Sequence, residues 1–110
     1  MPADPAPETA VTVADAPERE RYEAMVDGTL AGVLEYAVRG DEIELIHTEV
    51  LPEFEGRGIA GRIVQVALDD ARRRGRGVVV SCPYVRTDLA RHPAERDLVA
   101  RRPGTSQADR

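Results

Sequence analysis

Residues 55–64, EGRGIAGRIV, decide the fold of this chain, because three glycines lead directly into its clearest helical pattern. Ile59, Ile63, Val66 and Ala67 recur at the i, i+4, i+7 and i+8 spacing, which predicts an amphipathic helix. Glycine within a helix costs about 1 kcal/mol relative to alanine, so these glycines indicate a turn and a helix start. Free N–H groups at a helix start can bind a phosphate; a plain tight turn is the alternative interpretation.

Upstream of this stretch, the sequence predicts an antiparallel meander of three strands. Residues Arg21–Val26 alternate between apolar and polar side chains, and Asp27-Gly28 after them is a typical two-residue hairpin turn. The second strand covers Thr29–Val38 and the third covers Glu42–Val50, with a bend expected near His47. A proline then ends the third strand, because proline cannot donate to a ladder.

Downstream, the sequence predicts a crossover back to the sheet. Gly75 follows three arginines and fits a left-handed helix end. Val78–Val80 is a short β-branched run that favours a buried strand parallel to the third one. Two short helices, Thr87–His92 and Ala94–Ala100, follow it on either side of Pro93. The expected fold is a single α/β domain: meander, glycine-rich loop, long helix, parallel strand and two short C-terminal helices.

Length and composition place the folded part of the chain near its centre. The chain has 110 residues, which suits one domain. Residues 1–17 hold four of the eight prolines, with alanines and acids, and we expect a disordered tail there. Residues 101–110 are similar in composition, so the domain is expected to span residues 18–100.

Charge and cysteine usage limit the classes of function. The net charge of −5 argues against nucleic-acid binding by bulk charge, and all 15 basic residues are arginines. The single cysteine cannot form an internal disulfide, which suits a reducing compartment. Because no run approaches the length of a membrane helix and the N-terminal residues do not resemble a signal peptide, we expect a cytoplasmic protein with no membrane partner.

The glycine-rich stretch in its context resembles a known family. The run HTEVLPEFEGRGIAGRIV is similar to the acetyl-CoA-binding segment of the GNAT superfamily of N-acetyltransferases, in which Gln/Arg-x-x-Gly-x-Gly/Ala follows a bent strand. Gly58 and Ala60 match its last two positions, whereas Glu55 departs from the first. Together with RYEAMVDG, CPYV and RHP, the run resembles a small single-domain subfamily of predicted acetyltransferases over residues 21–99, one without the early helices that shape the acceptor pocket in larger relatives.

The resemblance implies acetyl-CoA as co-substrate and assigns its binding residues. Amides of residues 56–61 would hold the pyrophosphate, and the strand edge at 48–50 would pair with the pantetheine arm. Arg91 would reach the 3′-phosphate or adenine, although a salt bridge with Asp88 or Glu95 is an equal alternative. Tyr84 would pack on the pantetheine or, alternatively, in the core. The full set is Thr48, Val50, Gly56, Arg57, Gly58, Ile59, Ala60, Gly61, Tyr84 and Arg91, with no metal.

Three residues are candidates for the chemistry. Cys82, at the end of the last strand, can carry the acetyl group, protonate the leaving thiolate, or be an inert core residue. His47 is its expected partner, because histidine is the residue type most used for proton transfer near neutral pH, unless it only bonds to backbone. Glu49 is a possible base, as is Glu53, unless both are solvated acids. Alternation predicts that Leu45, His47 and Glu49 share one face of the strand.

These observations lead to one main functional hypothesis and two alternatives. The main hypothesis is an acetyl-CoA-dependent N-acetyltransferase that acts as a monomer or weak dimer on an amine of a small molecule or a protein. The acids Glu49, Glu53 and Glu55 would favour a cationic acceptor. A non-catalytic acyl-CoA-binding or sensing module is the first alternative, and an acyl-CoA thioesterase that depends on Cys82 is the second.

Overall fold

The computed structural model describes residues 11–92 and 97–99, in which five strands form one sheet that follows the order of the chain. The strands are β1 (Val11–Ala16), β2 (Arg21–Val26), β3 (Thr29–Arg39), β4 (Glu42–Val50) and β5 (Gly77–Val80). The helices are α1 (Ile59–Arg74) and α2 (Pro83–Arg91), with 3-10 turns at Pro17–Arg19 and Pro52–Phe54. β1 to β4 pair antiparallel and β5 pairs parallel to β4. The predicted meander, crossover helix and parallel strand are therefore confirmed.

The β2–β3 hairpin forms where its local sequence predicts it. Asp27 and Gly28 have φ values of 50° and 82°, and a type I′ turn requires both central residues to have positive φ. Val26 pairs with Thr29 directly across this turn. Alternate residues of β2 are buried, and Tyr22, at 1% exposure, lies deepest among the larger ones.

Both helices cover the same face of the sheet. α1 buries Ile63, Val64 and Leu68 against the strands. The α2 residue Tyr84 lies beside the start of α1, since a Cβ added to Gly61 would stand 3.6 Å from its hydroxyl. Within the described residues, neither helix is long and apolar enough to cross a membrane.

The predicted disorder of residues 1–17 is wrong for the part that the structure describes. Val11–Ala16 pairs with β2 along its whole length as an edge strand. Val11 is 7% exposed, and Asp15 accepts a hydrogen bond from the Tyr36 hydroxyl. The strand is therefore stabilised by its pairing with β2 and by the hydrogen bond from Tyr36. Residues 1–10 and 101–110 lie outside the described part of the chain.

The C-terminal helices also differ from the prediction. α2 begins at Pro83, four residues before the expected Thr87, because proline is well suited to the first turn of a helix. The second predicted helix, Ala94–Ala100, lies mostly outside the described residues. Val99, which is described, forms an isolated parallel bridge with Val78, so it extends the sheet at that point.

Candidate active site

β5 pairs with only the first half of β4, and the two segments diverge beyond it. We call the gap between them the fork. Their ladder ends at the pair Leu45 and Val80. The carbonyl oxygen of Leu45 accepts hydrogen bonds from the N–H groups of both Ser81 and Cys82, each at 3.0 Å. β4 then continues to Val50, whereas the segment that follows β5 leads directly into α2. Among the described residues, no strand pairs with this second half of β4 on the β5 side.

A β-bulge at the same level changes which side chains face the helices. Glu35 pairs with His47 and Tyr36 with Leu45, so Ile46 is the extra residue of β4. A bulge shifts the alternation by one position. The bend expected near His47 is therefore confirmed one residue earlier in the chain.

The glycine-rich loop leaves N–H groups free at the start of α1. Gly56 and Gly58 have φ values of 82° and 74°, in the left-handed region that glycine adopts readily. The first hydrogen bond of the helix runs from the Arg62 N–H to the Gly58 oxygen, at 3.1 Å. The N-cap residue is Gly58, which has no side chain that could cap the helix. The N–H groups of residues 59–61 thus precede the first helical bond at the positive end of the helix dipole.

The loop and the fork meet in one pocket of about 260 Å³. It is lined by Val50, Phe54, Glu55, Gly56, Gly58, Ile59, Ala60 and Tyr84. Six of these residues were expected to bind coenzyme A, and they come from β4, the loop, α1 and α2. The structure therefore brings together residues that lie up to 34 positions apart in the sequence. The pocket has an apolar wall at the strand and N–H donors at the loop.

Tyr84 is the ionisable side chain on the α2 side of this pocket. The residue is 39% exposed and occupies the second position of α2. Burial raises the pKa of its phenol, the charge of Asp88 adds to the rise, and Arg91 opposes it. Its hydroxyl therefore stays protonated at neutral pH and can donate a proton.

Cys82 lies behind the pocket and not in its lining. Its side chain is buried, with 2% exposure of the residue, and its Sγ atom is 3.3 Å from Oγ1 of Thr48. It occupies the N-cap position of α2 without a side-chain hydrogen bond to the helix. The partner that the structure gives to Cys82 is therefore Thr48, a contact that the sequence analysis did not identify.

The expected partnership of His47 with Cys82 does not form. Successive side chains of a strand point to opposite faces, and Thr48 faces Cys82, so His47 and Glu49 face away from the helices. The prediction that Leu45 shares their face is wrong, because the bulge at Ile46 reverses the alternation after Leu45. His47 and Glu49 do lie together, with Nε2 3.6 Å from Oε1, and both side chains are more than half exposed.

The remaining candidates lie at the rim of the pocket or outside it. Arg57 stands over the ring of Phe54, with its guanidinium carbon 5.4 Å from the ring centroid. Arg91 is exposed in the last turn of α2 and does not line the pocket. Glu53 is exposed in the 3-10 turn that precedes the loop. Among the residues described, no three His, Cys, Asp or Glu side chains are grouped to hold a metal ion.

Sequence reasoning also missed Phe54 as part of the pocket. It is a half-buried aromatic that packs against the core and lines the site. It is also the only phenylalanine of the chain. Its position directly before the glycine-rich loop is the signal that could have identified it.

Comparison with known families gives one match over most of the chain. The model of the GCN5-related N-acetyl-transferase family matches residues 21–98, which includes β2 to α2 and every residue of the pocket. No curated protein matches this chain.

Solved structures share the fold at low sequence identity. A GCN5-like protein from Staphylococcus aureus, itself assigned only as a candidate N-acetyltransferase, has a TM-score of 0.65 at 16% identity and covers 92% of this chain and 99% of its own. The ribosomal-protein-S18-alanine N-acetyltransferase of Escherichia coli has a TM-score of 0.51 at 20% identity; the match covers 53% of this chain and 38% of that enzyme. The ribosomal-protein-alanine N-acetyltransferase of Brucella melitensis biovar Abortus 2308 has a TM-score of 0.50 at 23% identity, with 82% and 71% covered. The match therefore spans well under half of the length of the Escherichia coli enzyme.

Proposed function

The chain belongs to the family of GCN5-related N-acetyltransferases, and from this premise we propose that it transfers the acetyl group of acetyl-CoA to an amine. The observation that carries the proposal is the single pocket shared by the free edge of β4 and the glycine-rich start of α1. An acyl-CoA has a charged pyrophosphate at one end of its arm and a neutral thioester at the other. The pocket offers N–H donors and apolar walls in the same order.

The donor would bind through backbone groups first. The N–H groups of residues 59–61 would receive the pyrophosphate, because they precede the first helical bond and carry the partial positive charge of the helix end. The pantetheine arm would extend along the unpaired edge of β4 from Val50 as far as Thr48, with its amides in place of a missing strand. Arg57 at the rim and Arg91 beyond it are the cations available to the outer phosphate.

In the transfer step, the amine nitrogen attacks the carbonyl carbon of the thioester. The C–S bond breaks, the coenzyme A sulfur takes up a proton, and the new ammonium loses one. Tyr84 is the best-placed donor of the first proton, since its phenol lines the pocket and stays protonated at neutral pH. Cys82 is the other candidate donor, from behind the pocket.

The amine would approach from the opposite face of the sheet. His47 and Glu49 lie there at the edge of the fork and contact each other, so together they would accept the proton of the amine. Direct transfer is favoured over an acetyl-Cys82 intermediate, because Cys82 is buried against Thr48 and would have to move to attack a thioester. The acceptor would be a small molecule or a protein, and carboxylates around the fork would favour a cationic one.

A non-catalytic acyl-CoA-binding module is the second candidate. One observation favours it: the two candidate bases, His47 and Glu49, face the side of the sheet opposite to the donor pocket. A thioesterase that depends on Cys82 has less support, because the thiol is buried.

Calorimetry followed by turnover separates these functions. Coenzyme A and acetyl-CoA should bind, and they should raise the melting temperature because a ligand of the folded state stabilises it. A panel of amines that includes diamines and basic peptides is then added, and release of the free thiol is recorded. Release that requires an amine supports transfer, binding with no release supports the module, and release without any amine supports hydrolysis. Failure of both ligands to bind would overturn the proposal.

A further inference from the structure

Two side chains close the inner end of the fork. The β4–β5 ladder stops at Leu45, and three residues later Oγ1 of Thr48 meets Sγ of Cys82 at 3.3 Å. Cys82 is 2% exposed. At this level, the space between β4 and the start of α2 is filled by the pair, which we call the Thr48–Cys82 wall.

The pocket ends directly outside this wall. Val50, two residues after Thr48, and Tyr84, two residues after Cys82, both line it. Neither Thr48 nor Cys82 does. Two residues of a strand span about 7 Å. A thioester that enters from the glycine-rich loop along β4 therefore reaches the wall with its acyl end first.

We infer that the Thr48–Cys82 wall limits the acyl group and makes this site selective for short-chain acyl-CoA, in practice acetyl-CoA. The inference rests on the proposed function. Every methylene beyond the acetyl group needs space that the two side chains occupy, and close-packed interiors yield little space without strain. In this role Cys82 acts by its volume and needs no chemical reaction.

The wild-type protein supplies the first test. Affinities for coenzyme A, acetyl-CoA and butyryl-CoA are measured by calorimetry without an amine. Butyryl-CoA should bind about tenfold or more weakly than acetyl-CoA, the usual discrimination against added methylenes in a closed pocket. Equal affinities for acetyl-CoA and butyryl-CoA would overturn the inference that the wall limits the acyl group, while leaving coenzyme A binding intact. Binding of none of the three would overturn both the wall and the proposed function.

Variants of the wall identify its residues. Cys82→Ala and Thr48→Ala shorten it, and each should raise the affinity for butyryl-CoA relative to acetyl-CoA by about tenfold. Cys82→Ser is the matched control, because it removes the thiol but nearly keeps its size, so the ratio should stay near the wild-type value. If Cys82→Ser shifts the affinity ratio as much as Cys82→Ala does, the inference that Cys82 acts by its volume is contradicted. Thermal unfolding shows which variants are folded, and the wild-type ratio decides the question if they are not.

Discussion

The two ends of the sheet treat their polar groups in opposite ways. At the end where α1 terminates, the Tyr22 hydroxyl donates to Asp70 at 2.6 Å, and Arg73 and Arg74 bond to the same carboxylate. At the fork end, the start of α1 has uncapped N–H groups, and among the described residues the second half of β4 has no partner strand on its β5 side. One end thus satisfies its buried polar groups, and the other presents donors to the pocket.

This contrast indicates a division of labour along α1. Polar groups that are already paired stabilise the fold, whereas unpaired donors at the surface are available to a ligand. Changes at the fork should therefore alter ligand affinity more than stability, and changes at the paired end should do the reverse.

Gly58→Glu should remove coenzyme A binding. It places a carboxylate at the loop that is proposed to hold the pyrophosphate, and like charges in contact cost several kcal/mol, which corresponds to a loss of more than about 100-fold. Calorimetry measures the affinity. Unchanged affinity would rule out the loop as the phosphate site.

Two controls separate charge from backbone strain in this experiment. Gly40→Glu puts the same residue at another left-handed position, with φ of 62° and open space around it, so it should keep affinity at a similar cost in stability. Gly58→Gln keeps the shape without the charge and should lose less affinity than Gly58→Glu.

Asp70→Ala should have the opposite profile. It leaves the hydroxyl of Tyr22, a residue with 1% exposure, without its partner, and an unsatisfied buried group of this kind costs about 1–3 kcal/mol. Urea unfolding measures the loss. Asp69→Ala is the matched control on the exposed side of the helix and should stay within about 0.5 kcal/mol of wild type. The affinity of folded Asp70→Ala for coenzyme A should stay within about twofold, since distant sites act independently; a larger loss would contradict the division.

The features that sequence could predict are those with local causes. The β2–β3 hairpin follows from alternation and Asp27-Gly28, and α1 follows from the spacing of Ile59 and Ile63. Six of the pocket residues, including Tyr84, were assigned instead from the resemblance to the acetyltransferase family, whereas Phe54 was missed.

The features that sequence could not predict depend on contacts between distant residues. Residues 11–16 form a strand because they pair with β2 and because Asp15 bonds to Tyr36, 21 residues away. The side on which His47 lies depends on the register of β4 against β3, where Ile46 is the unpaired residue. No local pattern distinguishes this bulge from regular alternation, and so the pairing of His47 with Cys82 was predicted in error.

Acid should weaken the paired end through Glu23. Hydrogen bonds from Arg19 and then from Arg21 lower the pKa of Glu23 from its ordinary value of 4.5 to about 2. Because the folded-state pKa is lowered, this contribution is complete above pH 4.5 and is lost as the pH falls towards 2. It should amount to no more than about 1 kcal/mol, since solvent screens the exposed arginines.

Urea unfolding between pH 2 and pH 6 measures this term. Glu23→Gln should flatten the pH dependence over that window, whereas Glu18→Gln should not, although Glu18 also contacts Arg19, at 3.3 Å. If both variants have the same pH dependence as the wild type, the pairing of Glu23 does not stabilise the fold.

The smallest predicted effect is at Gly61, where one substitution should change both stability and ligand affinity. Gly61 is in the first turn of α1, and an added Cβ would meet the Tyr84 hydroxyl at 3.6 Å, an ordinary contact. Gly61→Ala should stabilise the helix by up to about 1 kcal/mol, and it should weaken coenzyme A binding by about two- to fivefold because the methyl group narrows the pocket. Tyr84→Phe in the same chain removes the hydroxyl that the methyl group approaches and should restore part of that affinity. A variant that gains stability without losing affinity would show that Gly61 is not kept for the ligand, and the boundary between the binding end and the stabilising end would then lie nearer to Gly58.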